Sequence, residues 1–164
     1  MPPPDTGPVS SPDHQIRLAV PEDAALLGRM LHEFNAEFGE SEPSADRIAE
    51  LARGQLESGE ILALFGGEAP DGFAQLRFHL SLYDAGPDAC LEELWVRPAA
   101  RGTGLGRSLL TAAMDAARQR GATRIELNTS TDDDVARALY ESAGFTNDEG
   151  GPGGPSMLYY ERDL

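Results

Sequence analysis

The chain has 164 residues, of which 40% are hydrophobic and 25% charged, and its formal net charge is −15. That length suits one domain with a real core, and so acidic a chain counts against a nucleic-acid partner, because phosphate backbones are gripped by basic surfaces. No apolar run approaches the ~20 residues of a membrane span, and the single cysteine, Cys90, excludes an intrachain disulfide.

Residues 1–13 are rich in Pro, Ser and Asp and read as a disordered tail. They lack the basic-then-apolar order of a secretory leader, which makes the cytoplasm the default address. Residues 14–164 are expected to form a single domain. It begins with a half-buried strand over 14–20, where Ile16, Leu18 and Val20 alternate with polar neighbours. Pro21-Glu22-Asp23 opens a helix, with Asp23 or a neighbour as cap and with Leu26, Leu27, Met30, Leu31 and Phe34 as its apolar stripe, extended by Phe38. A second helix starts at Ser44, carries Ile48, Leu51 and Leu56 on one face, and ends at Gly59. Strands follow over 60–66, 73–83 and 89–96, with turns at 68–72 and 84–88. A helix then runs to Gly121, and a strand over 124–130 should lie parallel to the one before it. Asp132-Asp133-Asp134 caps a last helix that Gly144 stops. A final strand covers 157–163. The sum is a mixed α/β domain, a mostly antiparallel sheet with helices on its faces.

Residues 91–120, LEELWVRPAARGTGLGRSLLTAAMDAARQR, organise the rest. Pro98 stops the apolar run, because proline cannot donate to a ladder. Arg101-Gly102-Thr103-Gly104-Leu105-Gly106 follows, and then a helical stripe of Leu105, Leu109, Leu110, Ala113 and Ala117. The first amides of a helix have no intrahelical partner and carry the positive end of the macrodipole. Glycines clear the side chains that would keep a phosphate away from them. The stretch is a candidate phosphate or pyrophosphate cradle. It fails the dinucleotide fingerprint, because Arg107 stands at the third glycine, and it fails the P-loop, because Arg101 replaces its first glycine and Arg107 its lysine.

Arg101-x-x-Gly104-x-Gly106, preceded by LEELWV and a proline, resembles the acetyl-CoA signature of the Gcn5-related N-acetyltransferase (GNAT) family. The strand RIELNTS and the helix VARALYESAGF, with its Leu-Tyr-Glu-x-x-Gly-Phe ending, resemble a second hallmark; the two blocks cover residues 91–145. The resemblance implies a twisted sheet of about six to seven strands with a parallel, splayed central pair and helices on both faces. It implies an N-acetyltransferase that carries an acetyl group from acetyl-CoA to a primary amine of a small molecule or peptide by direct attack, with coenzyme A as product and no metal. Homodimers are frequent among relatives. The acidic surface allows steering of a cationic acceptor, while the three histidines, His14, His32 and His79, have no ligand spacing.

The same resemblance names site residues. The amides of Gly102, Thr103, Gly104, Leu105, Gly106 and Arg107 would hold the diphosphate, with Arg101 and Arg107 as supporting cations. The backbone of Leu94, Trp95 and Val96 would pair with the pantetheine arm, and an amide left free by the splay would donate to the oxyanion. Tyr140 would protonate the leaving thiolate. Many relatives carry asparagine seven residues before that tyrosine; here Asp133 stands there, and a carboxylate cannot donate as an amide does, so Asn128 is the substitute. The base is Glu92 by the family pattern or Glu93 if a bulge shifts the alternation, with a water path as the third option. Regular alternation places Glu92 beside Leu94 and Val96, and Glu93 beside Leu91 and Trp95. One carboxylate must then face an apolar side, where burial raises its pKa toward neutrality. A second reading keeps the fold but makes the chain a catalytically weak acyl-CoA-binding or regulatory domain. The acceptor pocket is expected from residues 35–45, 78–90 and 146–156.

Overall fold

The computed structural model describes residues 14–164, so the expected N-terminal tail lies outside the described residues. The chain divides after Glu126 into two compact units. The first holds one sheet of five strands in the order β1-β2-β3-β4-β5: β1 (Ile16–Leu18), β2 (Ile61–Gly66), β3 (Gly72–Ser81), β4 (Gly86–Val96) and β5 (Ile125–Glu126). The first three pairings are antiparallel and β4–β5 is parallel, so the mostly antiparallel α+β sheet with one parallel pair is present.

The count is five rather than six or seven, and the parallel pair stands at one edge of the described sheet rather than at its centre. Two expected strands account for this. The strand over 124–130 shrinks to Ile125–Glu126, because polar side chains beyond it find local bonds that compete with a ladder: Ser130 donates to Asp132, and the Asp133 amide turns back to the Ser130 carbonyl at 3.2 Å. The stretch 157–163 forms no strand. Its nearest ladder contact is an isolated bridge, Asp148↔Ser156, closing a Gly-Pro turn in which Gly153 N–H reaches Asp148 Oδ2 at 2.8 Å.

Side-chain parity distributes the core. Phe73, Gln75 and Arg77 of β3 share a face with Ala63 and Phe65 of β2. Against that face pack α1 (Ala24–Glu37) and α2 (Ala45–Ser58), through a cluster of Leu27, Met30, Ala52, Ile61, Ala63, Phe65, Phe73 and Trp95. The predicted stripe of α1 holds, except that Phe38 is exposed and only meets Phe34 edge-on at 5.2 Å. On α2 the deepest residue is Ala52, while Leu51 stays on the surface. The opposite face meets α3 (Leu105–Gln119), whose predicted residues Leu105, Leu109, Leu110, Ala113 and Ala117 are all buried.

Helix ends follow local chemistry. Ser44 Oγ accepts the Arg47 amide at 3.3 Å, and Gly59 closes α2 at φ 74°. Asp23 precedes α1 but does not cap it; its carboxylate forks onto Arg17 at 2.7 and 2.9 Å and accepts the Val20 amide instead. In the second unit, α4 (Asp134–Ser142) begins with the Asp133 carboxylate accepting the Ala136 amide at 3.0 Å, as the acidic triplet predicted.

The α1–α2 crossing depends on Gly28. A Cβ there would lie 2.9 Å from the Cβ and the amide nitrogen of Ala49 and would collide with the Ala45 carbonyl oxygen. Backbone cannot yield as a side chain does, so Gly28→Ala should lower the denaturant midpoint by the equivalent of about 1–3 kcal/mol. Gly54, inside α2, where an added Cβ would meet nothing within 4 Å among the described residues beyond its own helix backbone, should behave oppositely, Gly54→Ala gaining about 0.5–1 kcal/mol. Equilibrium denaturation of the two variants checks both signs.

Candidate active site

The register of β3 against β4 slips once. Gln75 pairs with Glu93, but Leu76 pairs with Leu91, which leaves Glu92 as an extra residue. A bulge of this kind disrupts alternation locally and re-aims side chains. Regular alternation put Glu92 on the face of Leu94 and Val96. In the structure Leu91 holds that face opposite Leu76, and Glu92 turns to the α1–α2 side. There its Oε2 accepts from Gln75 Nε2 and its Oε1 from Arg77 Nε, both at 2.7 Å. Arg77 also donates to Gln55 of α2 at 3.0 Å.

Glu93 faces the same side without such partners: among the described residues no hydrogen bond or ion pair reaches its carboxyl. Burial, with the Glu92 charge second, pushes its pKa up to about 7. The two neighbouring carboxylates are thus split in role, one neutralised by a guanidinium and an amide, the other poised to exchange a proton near neutrality. Beside them lies a cavity of about 150 Å³, lined by Leu31, Ile48, Leu51, Ala52 and Ile61 with Gln55 and Gln75 as its polar walls.

Past the bulge, β4 has backbone to offer. Its ladder to β5 consists of Ala89↔Ile125 and Cys90↔Glu126 and ends there. The Arg97 amide donates to Asp71 on the β3 side at 2.7 Å. Backbone groups alternate sides along a strand, so the amides of Leu94 and Val96 point the other way, toward the β5 side where the ladder has stopped. Trp95 alternates with them and buries its ring 6.0 Å from Phe73.

β4 then runs through a short 3-10 turn, Pro98–Ala100, into the glycine turn. Gly102 and Gly104 adopt φ 76° and 88°, a conformation that side chains resist. Among the described residues, chain neighbours aside, nothing lies within 4 Å of a Cβ placed on Gly102, and on Gly104 such a Cβ would meet only His14 Nε2, at 3.8 Å. Gly104 stands at the N-cap of α3 and supplies no capping side chain, so among the described residues no side chain caps the backbone that opens α3. The turn is fixed from behind: Thr103 Oγ1 donates to Ala100 O, and His14 Nε2 donates to Thr103 O, each at 2.8 Å. Leu105 is buried beneath it, and Arg107 is exposed on the first turn of α3. These residues fit a diphosphate group: open glycine backbone, helix N-terminus and, among the described residues, no blocking side chain.

Arg101 does not point into that space. Its Nη2 contacts both Glu37 oxygens at 2.9 and 2.8 Å, and its Nε donates to Val96 O at 2.9 Å. In the second unit, Tyr140 packs its ring 5.9 Å from Phe145, Asp133 is engaged as the cap of α4, and Asn128 is exposed. Cys90 is a free, half-buried thiol whose pKa is raised by burial and then by the charges of Glu126 and Glu92, which disfavours the thiolate and a nucleophilic role.

The profile of the Acetyltransferase (GNAT) family matches residues 27–145. The chain belongs to that family. An uncharacterized N-acetyltransferase of Bacillus subtilis, YhfO, is 33% identical over 137 residues, covering 82% of this chain and 91% of its own. Mycothiol acetyltransferase of Beutenbergia cavernae is 48% identical over 63 residues, 37% of this chain, and the match spans 21% of that enzyme's length. A crystal structure from Arthrobacter sp. FB24 assigned to the acetyltransferases superposes with a TM-score of 0.84 at 41% identity, over 98% of this chain and 99% of its own.

For this GNAT-family chain, sequence reasoning overlooked Gln75, Arg77, Glu37 and His14. A signal existed for the first two: polar residues at alternate positions of a strand whose same-face neighbours Phe73 and Trp95 are buried imply a partner. For Glu37 the signal was a pair of acids, Glu33 and Glu37, with the spacing of Arg97 and Arg101. His14 gave none.

The Glu93 pKa carries a stability consequence. It lies above the 4.5 of a free glutamate, so folded protein holds a proton that unfolded chain releases, and stability should fall as pH rises from about 4.5 to about 7. Glu93→Gln removes the buried charge. It should stabilise the fold at pH 8 by on the order of 2 kcal/mol and change little at pH 5; thermal melts at the two pH values read the difference.

Proposed function

We propose that this protein is an acetyl-CoA-dependent N-acetyltransferase acting on a primary amine of a small molecule or peptide by direct attack. The observation that carries the reading is the continuity of β4: a carboxyl group titrating near neutrality, then strand amides past the end of their ladder, then an open glycine turn at the start of α3. The N-acetyltransferase relative, similar along most of its length, supports the same reaction class. The similarity to mycothiol acetyltransferase is confined to a short block and supports the acyl-donor side more than any acceptor.

Acetyl-CoA would supply an acyl group activated as a thioester. The amides from Gly102 to Arg107 hold its diphosphate through the helix N-terminus, which converts the encounter of acyl group and amine into a local reaction. Leu94 and Val96 offer N–H donors to the carbonyl oxygen as it gains charge. Glu93, unpartnered and titrating at about 7, takes the proton that the amine must lose. Glu92, held by Gln75 and Arg77, adds through its charge to the basicity of its neighbour. Tyr140, by its place in LYESAGF, gives its phenolic proton to the departing sulfur. The net charge of −15 favours approach of a cationic acceptor, and the Leu31–Ile48–Ile61 cavity with its two glutamines suits the carbon skeleton behind its amine.

Calorimetric titration should show binding of acetyl-CoA and none of ATP or NAD, and an amine panel should yield free thiol. Tight acetyl-CoA binding with no thiol release from any amine would identify an acyl-CoA-binding regulator instead. The base assignment predicts that kcat/KM climbs with pH and levels off above about 7, because only the carboxylate form of Glu93 accepts a proton; Glu93→Gln should erase that limb and cost about 10²–10⁴ in rate.

Two substitutions separate binding from chemistry. Gly104→Val should abolish acetyl-CoA binding, since a branched residue strains at φ 88° and projects into the cradle. Tyr140→Phe should lower turnover while leaving acetyl-CoA affinity nearly unchanged. Normal affinity in the first, or unaltered turnover in the second where chemistry limits the rate, removes that residue from the scheme.

A further inference from the structure

Two charged pairs fasten the end of β4 to α1. Glu33 and Glu37 stand one turn apart on α1, and Arg97 and Arg101 flank the Pro98–Ala100 turn. Arg97 reaches Glu33 through Nε at 2.8 Å and Nη2 at 2.9 Å, and its Nη1 donates to Pro70 O at 2.9 Å. Arg101 reaches both oxygens of Glu37 and the Val96 carbonyl. The indole of Trp95 donates to Glu37 Oε1 at 2.8 Å. A single carboxylate thus gathers the last inward side chain of β4 and the first residue of the glycine turn.

The geometry leaves Arg101 little for a bound anion. Its Nε is spent on Val96 O, the strand carbonyl that faces away from β3, and its Nη2 is spent on Glu37. Only Nη1 has no partner among the described residues, and a phosphate would have to displace the carboxylate from Nη2 to gain a bidentate grip. What Arg101 does supply is rigidity: it ties strand end, helix and turn into one frame, and donors fixed in advance bind at lower entropic cost.

We infer that Glu37 is a positioning residue for the coenzyme cradle, acting through Arg101, which serves as a strut between α1 and β4 rather than as a ligand of the diphosphate. The inference rests on the acetyl-CoA reading above. It also joins the cradle to the end of α1 and the segment after it, where residues 35–45 were expected to help form the acceptor pocket.

The two roles of Arg101 predict opposite signs. If Arg101 gripped phosphate, neutralising Glu37 would free it, and Glu37→Gln would bind coenzyme A as well as the parent or better. As a strut it loses its anchor, and Glu37→Gln should weaken coenzyme A by about tenfold. Arg101→Gln should match it, and the double variant should be no worse than either. Arg101→Lys decides independently of how Glu37→Gln folds: lysine is a good phosphate binder but cannot span Val96 O and Glu37 together, so a strut is lost and a ligand is kept. The salt dependence of coenzyme A binding should keep its slope in Arg101→Gln, since no phosphate contact is removed.

Calorimetry with coenzyme A gives these affinities. Trp95, the single tryptophan of the chain, supplies a local signature: its emission should shift in Glu37→Gln and in Arg101→Gln alike. In steady state, Glu37→Gln should raise KM for acetyl-CoA about tenfold with kcat at saturation within about twofold, a split that general loosening would not produce. Unchanged or tighter coenzyme A binding in Glu37→Gln, or full affinity in Arg101→Lys, overturns the strut while leaving the acetyl-CoA reading intact. Failure of the parent protein to bind coenzyme A at all overturns both, and is seen before any variant is made.

Discussion

One surplus residue in β4 governs the site. Because Gln75 sits across from Glu93 and Leu76 from Leu91, Glu92 has no partner of its own, and the strand must buckle to absorb it. Two adjacent carboxylates then face the same helices, which an unbroken pleat would forbid. Burial is the larger cost to an ionised Glu93, and the like charge of Glu92 adds to it. Arg77 and Gln75 relieve the conflict by binding one of them, and the cost falls on the other. The unusual proton affinity of Glu93 follows from the register of the sheet.

The same surplus residue sets what comes after it. With parity reset, Trp95 turns inward onto the α1–α2 cluster, and Leu94 and Val96 turn toward α3. The inward tryptophan finds Glu37, and Glu37 holds Arg101. Meanwhile β5 has ended its ladder at Cys90, so the amides of Leu94 and Val96, which point to that side, are not consumed by the sheet. A regular β4 paired along its whole length on both sides would be a sturdier element with nothing to offer a ligand. The irregularity costs hydrogen bonds in the sheet and yields donors for binding.

What could be read in advance follows from where the information sits. The buried stripe of α3, the antiparallel order of β2, β3 and β4, and the glycine turn are written locally, in periods and punctuation, and were legible. Asp133 as a cap was legible because a capping side chain bonds its own neighbourhood. Asp23 looked equally like a cap, yet Arg17 outbids the helix for it, and that choice depends on β1 lying beside it. The bulge was foreseen only as a contingency, because register belongs to two strands at once. Glu92 and Glu93 differ by one position in sequence, and the difference between an ion pair and a proton acceptor is decided by residues seventeen or so places earlier, as the sequence separation of Gln75 from Glu92 attests. The stretch 157–163 alternates well enough to read as a strand, but pairing needs a partner edge, and alternation does not supply one.

The charge balance around the turn bears on how so acidic a chain would hold the anion that the proposed function requires. Arg77, Arg97 and Arg101 each face a glutamate at 2.7 or 2.8 Å, so these guanidiniums bring little net positive potential of their own. On the acetyl-CoA reading, what would attract a diphosphate here is the fixed field of the peptide backbone: the amides at the start of α3 and the positive end of its dipole, left uncovered because Gly102 and Gly104 carry no side chains. Such a field is directional, short in range and independent of protonation. It rewards an anion that fits the turn and gives little to one that does not, and the surrounding acidity repels unspecific polyanions without opposing a ligand already seated among the amides. On that reading the paired arginines would be mechanical parts of the cradle, and its positive character would come from geometry.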